Sequence, residues 1–153
     1  MAGGSVLDNQ FDEGIFPVEV VREARADGVD GRLFHEFAWG GWLLYAWPEQ
    51  KVFIDGGTDF YGSELFRTFL AIRDMDPGWR DSLDAYGIRH ALLSVENPLA
   101  HEMVREPEWG LRTCDATGVL LTRGAPRTGN EADSLVSCLR AREAPASAAG
   151  RDR

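Results

Sequence analysis

Apolar and polar positions along residues 15–123 switch between a period near two and a period near 3.6, and that switching predicts an α/β chain. The first helical pattern follows Phe16-Pro17. Val18, Val20, Val21 and Ala24 share one face, Pro17 suits a first helical position and Gly28 supplies a stop. Arg32-Leu33-Phe34-His35-Glu36-Phe37 then reads as a strand. Gly41-Trp42-Leu43-Leu44-Tyr45-Ala46-Trp47 is apolar almost all round and ends at Pro48, the pattern of a short buried helix. Lys51-Val52-Phe53-Ile54-Asp55 predicts a second strand, closed by Gly56-Gly57. Leu65, Phe66, Phe69, Leu70 and Ile72 fall at helical spacing and predict a helix over 63–75, with Ser63 as its cap. A further helix over 77–86 closes at Gly87. Residues 88–95 predict a third strand and residues 98–106 a helix that Pro107 stops. The last two strands, 110–114 and 119–123, flank Asp115-Ala116-Thr117-Gly118, a hairpin turn.

Strands joined by helical crossovers run parallel, so the first three are expected to do so, with the hairpin antiparallel behind them. The predicted fold is therefore a single mixed sheet of about five strands flanked by helices. It occupies residues 15–123 behind an N-terminal extension, 1–14. Residues 124–153 carry few large apolar groups among Pro, Gly, Ala, Ser and Arg. They are expected to form a disordered tail, because burial there does not offset the entropy of ordering. A turn of helix over 135–139 is the lesser alternative.

Composition narrows the function. A chain of 153 residues is expected to hold one domain. It carries 16 Lys and Arg against 25 Asp and Glu, a net charge of -9, and the excess acid lies in residues 1–123. That balance argues against a nucleic-acid partner, whose phosphates demand clustered Lys and Arg. No apolar run approaches the roughly 20 residues of a membrane span, and Met1-Ala2-Gly3-Gly4-Ser5 does not read as a secretory leader. Taken alone, the chain is expected in the cytoplasm. Cys114 and Cys138 show no CxxC or Cys-His spacing, which disfavours both a disulfide scaffold and a structural zinc site.

Two polar-rich segments lie at predicted strand ends, where open α/β sheets place ligands. If the first two strands are parallel neighbours, His35 and Glu36 come near Asp55 and Asp59, gathering three carboxylates and an imidazole on one rim. Such a rim suits a hard divalent cation or general acid/base work. Against this, Asp55 and Asp59 are also ordinary turn residues, accepting backbone N–H bonds near Gly56, Gly57 and Tyr61, and His35 reads equally as packing on the strand face. Gly40-Gly41 before a short helix offers N–H groups to an anion, or else close packing between Trp39 and Trp42. Trp39, Trp42, Trp47, Phe60 and Tyr61 read either as a carbohydrate platform or, the commoner case, as buried aromatics. There is no GxGxxG, no P-loop and no GxSxG, and His90 and His101 need no functional reading. No cofactor and no metal are predicted, and nothing in the residues identifies an enzyme class.

Three stretches together carry a resemblance. They are Gly31-Arg32-Leu33-Phe34-His35-Glu36-Phe37-Ala38-Trp39-Gly40-Gly41-Trp42-Leu43-Leu44, then Lys51-Val52-Phe53-Ile54-Asp55-Gly56-Gly57-Thr58-Asp59-Phe60-Tyr61-Gly62, then Pro77-Gly78-Trp79 with Leu83-Asp84-Ala85-Tyr86-Gly87-Ile88. The sequence resembles the soluble domain that follows the last membrane span in bacterial polytopic proteins similar to lipid-sugar-dependent glycosyltransferases of the protein-mannosyltransferase type. The resemblance covers about residues 11–123. Trp39, Gly40, Gly41, Asp55, Asp59, Tyr61 and Gly62 match the family wording, whereas His35 stands where the family has Asn, Phe37 where it has Tyr and Gly57 where it has Arg.

The resemblance implies membrane spans upstream of residue 11, a place on the extracytoplasmic face and no transferase activity in this domain itself. It therefore implies a non-catalytic accessory or interaction domain, contacting a glycan or lipid-linked sugar at Trp39, Gly40, Gly41, Asp55, Asp59 and Tyr61 with His35 and Glu36, and partnered by the membrane-embedded part. The alternative reading is a small metal- or carboxylate-dependent enzyme working at His35, Glu36, Asp55 and Asp59.

Overall fold

The computed structural model describes residues 13–53 and 58–144, with the backbone alone for 58–63. Helix α1 (Val18–Ala26) is followed by strand β1 (Arg32–His35), a 3₁₀ turn (Phe37–Trp39) and helix α2 (Gly40–Ala46). Then come α3 (Thr58–Arg73), α4 (Trp79–Ala85), β2 (Ile88–Ser94), α5 (Pro98–Met103), β3 (Trp109–Cys114), β4 (Gly118–Arg123) and α6 (Glu131–Glu143). The strands form one open sheet in the order β1-β2-β4-β3. β1 and β2 are parallel, and β4 runs antiparallel to both β2 and β3.

The sheet is the middle of three layers. On one face Val20, Val21 and Ala24 of α1 and Trp42 and Leu43 of α2 pack with Trp39 and Trp47 on Leu33, Leu92 and Leu120. On the other, α3 to α6 bring Phe69, Ile72, Leu83, Leu99, Met103 and Leu135 onto Phe34, Leu93, Val119 and Leu121. Ala91-Leu92-Leu93 and Val119-Leu120-Leu121 sit in central strands buried from both sides, which is why these runs are continuously apolar rather than alternating.

Local signals explain several element ends. Gly28, at φ 71°, stops α1, and the Val29 amide donates back to the Ala24 carbonyl in the manner of a Schellman cap. Asp115 makes the hairpin turn by accepting from the amides of Thr117 and Gly118 at 2.7 and 2.8 Å. Gly118 is required by space, since a Cβ there would lie 2.6 Å from Cβ of Pro17.

Several expectations are corrected. The sheet of the described residues has four strands, and its parallel part is one pair instead of three strands. Residues 51–53 pass beside β1 without strand structure, and 54–57 lie outside the described residues. The cause is local: the Phe53 amide donates to the His35 imidazole at 2.9 Å and the Gln50 side-chain amide donates to the Gly31 carbonyl at 2.7 Å, so side chains take bonds that a ladder would have used. The helix expected from residue 63 begins at Thr58, so Asp59-Phe60-Tyr61-Gly62 is helical and not a turn.

The tail is corrected as well. Residues 131–143 form α6, and Cys114 is joined to Cys138 by a disulfide across a separation of 24 residues. Glu131 caps the helix from within, its carboxylate accepting from the amides of Thr128 and Gly129 at 2.6 and 3.1 Å. Burial works against that charge, yet these backbone bonds, helped by Arg127, hold the carboxyl below the usual range. A covalent tie and a cap thus order a segment whose apolar content alone is low.

His90, buried between layers, is a structural histidine. Its Nε2 faces the Asp30 carbonyl at 2.5 Å and so must carry the proton, while Nδ1 accepts from the Thr122 hydroxyl at 2.9 Å. Burial, with Arg89 and Arg112 nearby, lowers its pKa below 6.5 despite the bond to Asp30. The unfolded chain therefore binds the extra proton first as pH falls through about 6.5, so the contribution is present above that pH and is lost on acidification. Between about pH 7.5 and pH 5.5 the urea midpoint of the protein should fall further than that of His90→Gln, a comparison urea titration reads directly.

Candidate functional site

The parallel pair β1/β2 ends in an open cleft of about 520 Å³ lined by Glu36, Arg73, Asp74, Met75, Ser94, Glu96, Asn97 and Pro98. Its position, outside the carboxyl ends of parallel strands, is where α/β sheets commonly bind ligands. Its volume lies within the range of small-molecule sites.

Each wall has a local cause. Glu36 follows β1 directly, and its Oε2 accepts from the Ser94 amide at 2.8 Å and the Asn97 side-chain amide at 2.6 Å, tying the end of β1 to the loop after β2. Asn97 in turn caps α5, its Oδ1 accepting from the Leu99 amide at 2.9 Å with Pro98 opening the helix. Arg73 and Asp74 end α3 and form a two-bond ion pair, Nε to Oδ1 at 2.8 Å and Nη2 to Oδ2 at 3.0 Å. That hydrogen-bonded pair raises the Arg73 pKa, with the Glu36 charge adding to it, and holds the Asp74 carboxyl below its usual range.

Met75 completes the wall in a left-handed conformation, φ 56°. The Asp76 amide donates to the Ala71 carbonyl and the Met75 amide to Ile72, a Schellman cap with methionine where glycine is usual. A side chain in that region costs on the order of 1–2 kcal/mol. Met75 offsets part of this by packing against the core.

Of the expected site residues whose side chains are described, His35, Glu36, Trp39, Gly40 and Gly41, only Glu36 borders this cleft. His35 is fully buried, its Nδ1–H donating to the Glu36 carbonyl at 2.7 Å and its Nε2 accepting from Phe53. Trp39 is buried beneath α1 and α2, its indole N–H donating to the Ile15 carbonyl at 2.9 Å, so it offers no carbohydrate platform. Gly40 is buried in α2, while Gly41 is exposed with open space around it. Asp55 lies outside the described residues. Asp59 and Tyr61 lie in the first turns of α3, and their side chains are outside the described residues too.

The sequence reading did not find Arg73, Asp74, Ser94, Glu96 or Asn97. Asn97-Pro98, a helix opening placed directly after a strand, was the one signal for them. Among the described residues, no three His, Cys, Asp or Glu side chains stand close enough to hold a metal ion. No helix among them is long and apolar enough to cross a membrane.

Fold and cleft together define a mixed α/β domain, one open sheet of four strands among the described residues flanked by helices, with a cleft bearing charged and amide side chains at its parallel edge. In comparisons with known proteins, no family model, no curated protein and no solved structure matches the chain.

Proposed function

We propose that this chain is a non-catalytic accessory or interaction domain of a glycosyltransferase-like membrane protein, and that its cleft contacts a glycan or the sugar of a lipid-linked donor. The observation that carries the proposal is how the rim's polar groups are used. Glu36 binds the Ser94–Asn97 loop and both His35 nitrogens hold backbone groups, so neither is poised for proton transfer. The cleft is lined by Arg73, Asp74, Glu96 and Asn97, each held by a bond of its own while its guanidinium, carboxylate or amide keeps further hydrogen-bonding capacity, the kind of surface that hydroxyl-rich ligands satisfy. The Cys114–Cys138 disulfide supports placement on the extracytoplasmic side, because such bonds persist in oxidising compartments.

Titration of the protein with hexose phosphates and short oligosaccharides, followed by amide NMR, tests this. Binding with a dissociation constant on the order of 1 mM is expected, with shifts confined to the amides of Arg73–Met75 and Ser94–Asn97 and no change in the sugar. Arg73→Ala should weaken it about fivefold while leaving stability within about 0.5 kcal/mol, since the Arg73–Asp74 pair is solvent-exposed. Shifts scattered over the surface, or turnover of the sugar, would overturn the reading.

A further inference from the structure

We propose that the Cys114–Cys138 disulfide is a releasable latch: reduction by a dithiol frees α6 as a unit and leaves the sheet folded with α1 to α5. The inference stands apart from what the cleft binds.

Helix α6 buries little of the core. In α6 the one fully buried apolar side chain is Leu135, with Cys138 and Leu139 half-buried beside it. The core beneath α1 and α2 contains no α6 residue at all. The opposite core is built mainly from α3, α4, α5 and the strands. Removing α6 therefore takes nothing from one core and one fully buried side chain with two half-buried neighbours from the other, and both central strands keep their other partners.

Apart from the disulfide, the helix is held by few contacts. Its Glu131 cap is made mainly by Thr128 and Gly129 just ahead of it, and Arg127, which pairs with Glu131 at 3.6 Å, donates to the Glu106 and Trp109 carbonyls. At its far end Arg142 pairs with Glu96 at 3.1 Å and donates to the Gly14 carbonyl at 3.0 Å, both exposed contacts of the kind that contribute little. A 13-residue helix is marginal by itself in water. Closing a loop of 24 residues biases the chain toward the attached state by a factor on the order of a few hundred. The disulfide is thus the largest tether of α6.

Both cysteines are partly exposed. One thiolate of a dithiol attacks one sulfur of the bond, breaking it and forming a mixed disulfide. The reductant's second thiolate then closes its own disulfide and expels the remaining cysteine. Two electrons pass to the protein, the dithiol is oxidised, and the two protons end on Cys114 and Cys138. Release also takes Arg142 away from Glu96, so the cleft wall gains an unpaired negative charge.

Hydrogen exchange of the full chain, oxidised and after dithiothreitol, tests the latch, together with a Cys114→Ser/Cys138→Ser variant. In the oxidised protein the amides of α6 should be protected. After reduction, and in the variant, they should exchange at nearly unstructured rates while Ala91–Leu93 and Val119–Leu121 of the same sample exchange at least about 100-fold more slowly. Protection of α6 that survives reduction would overturn the proposal. So would loss of protection in α6 and the central strands together, or two free thiols in the protein purified without reductant.

Discussion

His35→Ala is expected to lower stability by about 2–4 kcal/mol and to leave the residues around the cleft in place. The side chain is fully buried, so its removal opens a cavity. It also strands the Phe53 amide, whose partner is the imidazole Nε2, and the Glu36 carbonyl, which accepts from Nδ1. A buried donor without a partner costs more than the bond it formed was worth. Residues 50–53 should therefore come away from β1, exposing Val52 and Phe53, which pack on opposite faces of the sheet. For a domain of this size the melting temperature should fall by about 10 °C. His35→Gln retains one donor and one acceptor on a side chain of similar reach and should recover about half of the loss. Thermal melts of the three proteins measure this. If His35 instead served as a catalytic base, alanine would leave the melting temperature nearly unchanged.

The same residue shows where sequence reasoning worked and where it could not. Period and punctuation sufficed for α1, because Val20, Val21 and Ala24 form its buried face and Gly28 ends it in the left-handed conformation. They sufficed for the β3/β4 hairpin, because Asp115 can make its turn from within the turn itself. Val52-Phe53-Ile54 has the composition of a strand, but composition does not say whether a neighbour offers carbonyls or an imidazole. At residues 51–53 the neighbour offers His35, and no ladder forms.

Long-range pairing hid the rest. Glu36 was legible as a candidate, but its partners Ser94 and Asn97 lie about sixty positions away and meet it only because β1 lies beside β2. A reading that made residues 51–55 the neighbour of β1 sought the partners in Asp55 and Asp59 instead. Helix α6 was illegible for another reason. Leu135 and Leu139 alone make a weak apolar stripe, and the bond that anchors the helix joins positions with no periodic relation.

Trp109→Ala should be the most damaging of the single core changes, costing about 3–5 kcal/mol. Trp109 is the largest fully buried side chain among the described residues, and it opens β3 at the edge of the sheet. Its register partner is Arg123 on β4, and the Arg123 guanidinium lies 4.6 Å from the ring centroid. That same guanidinium donates to the Ile88 carbonyl and pairs with Glu108 and Asp84, so it joins β4 to β2 and to α4. Removing the indole leaves a large void and takes away the surface on which this cation rests, a contact worth roughly 0.5–1 kcal/mol where partly exposed. Trp109→Phe keeps an aromatic face under Arg123 and most of the volume, so it should cost less than about 2 kcal/mol. Urea titrations of the two variants separate the effects. A shifted midpoint with an unchanged slope is expected for both, with the alanine shift at least about twofold larger. Equal shifts would place the stabilisation in the indole N–H or its outer ring rather than in filled volume.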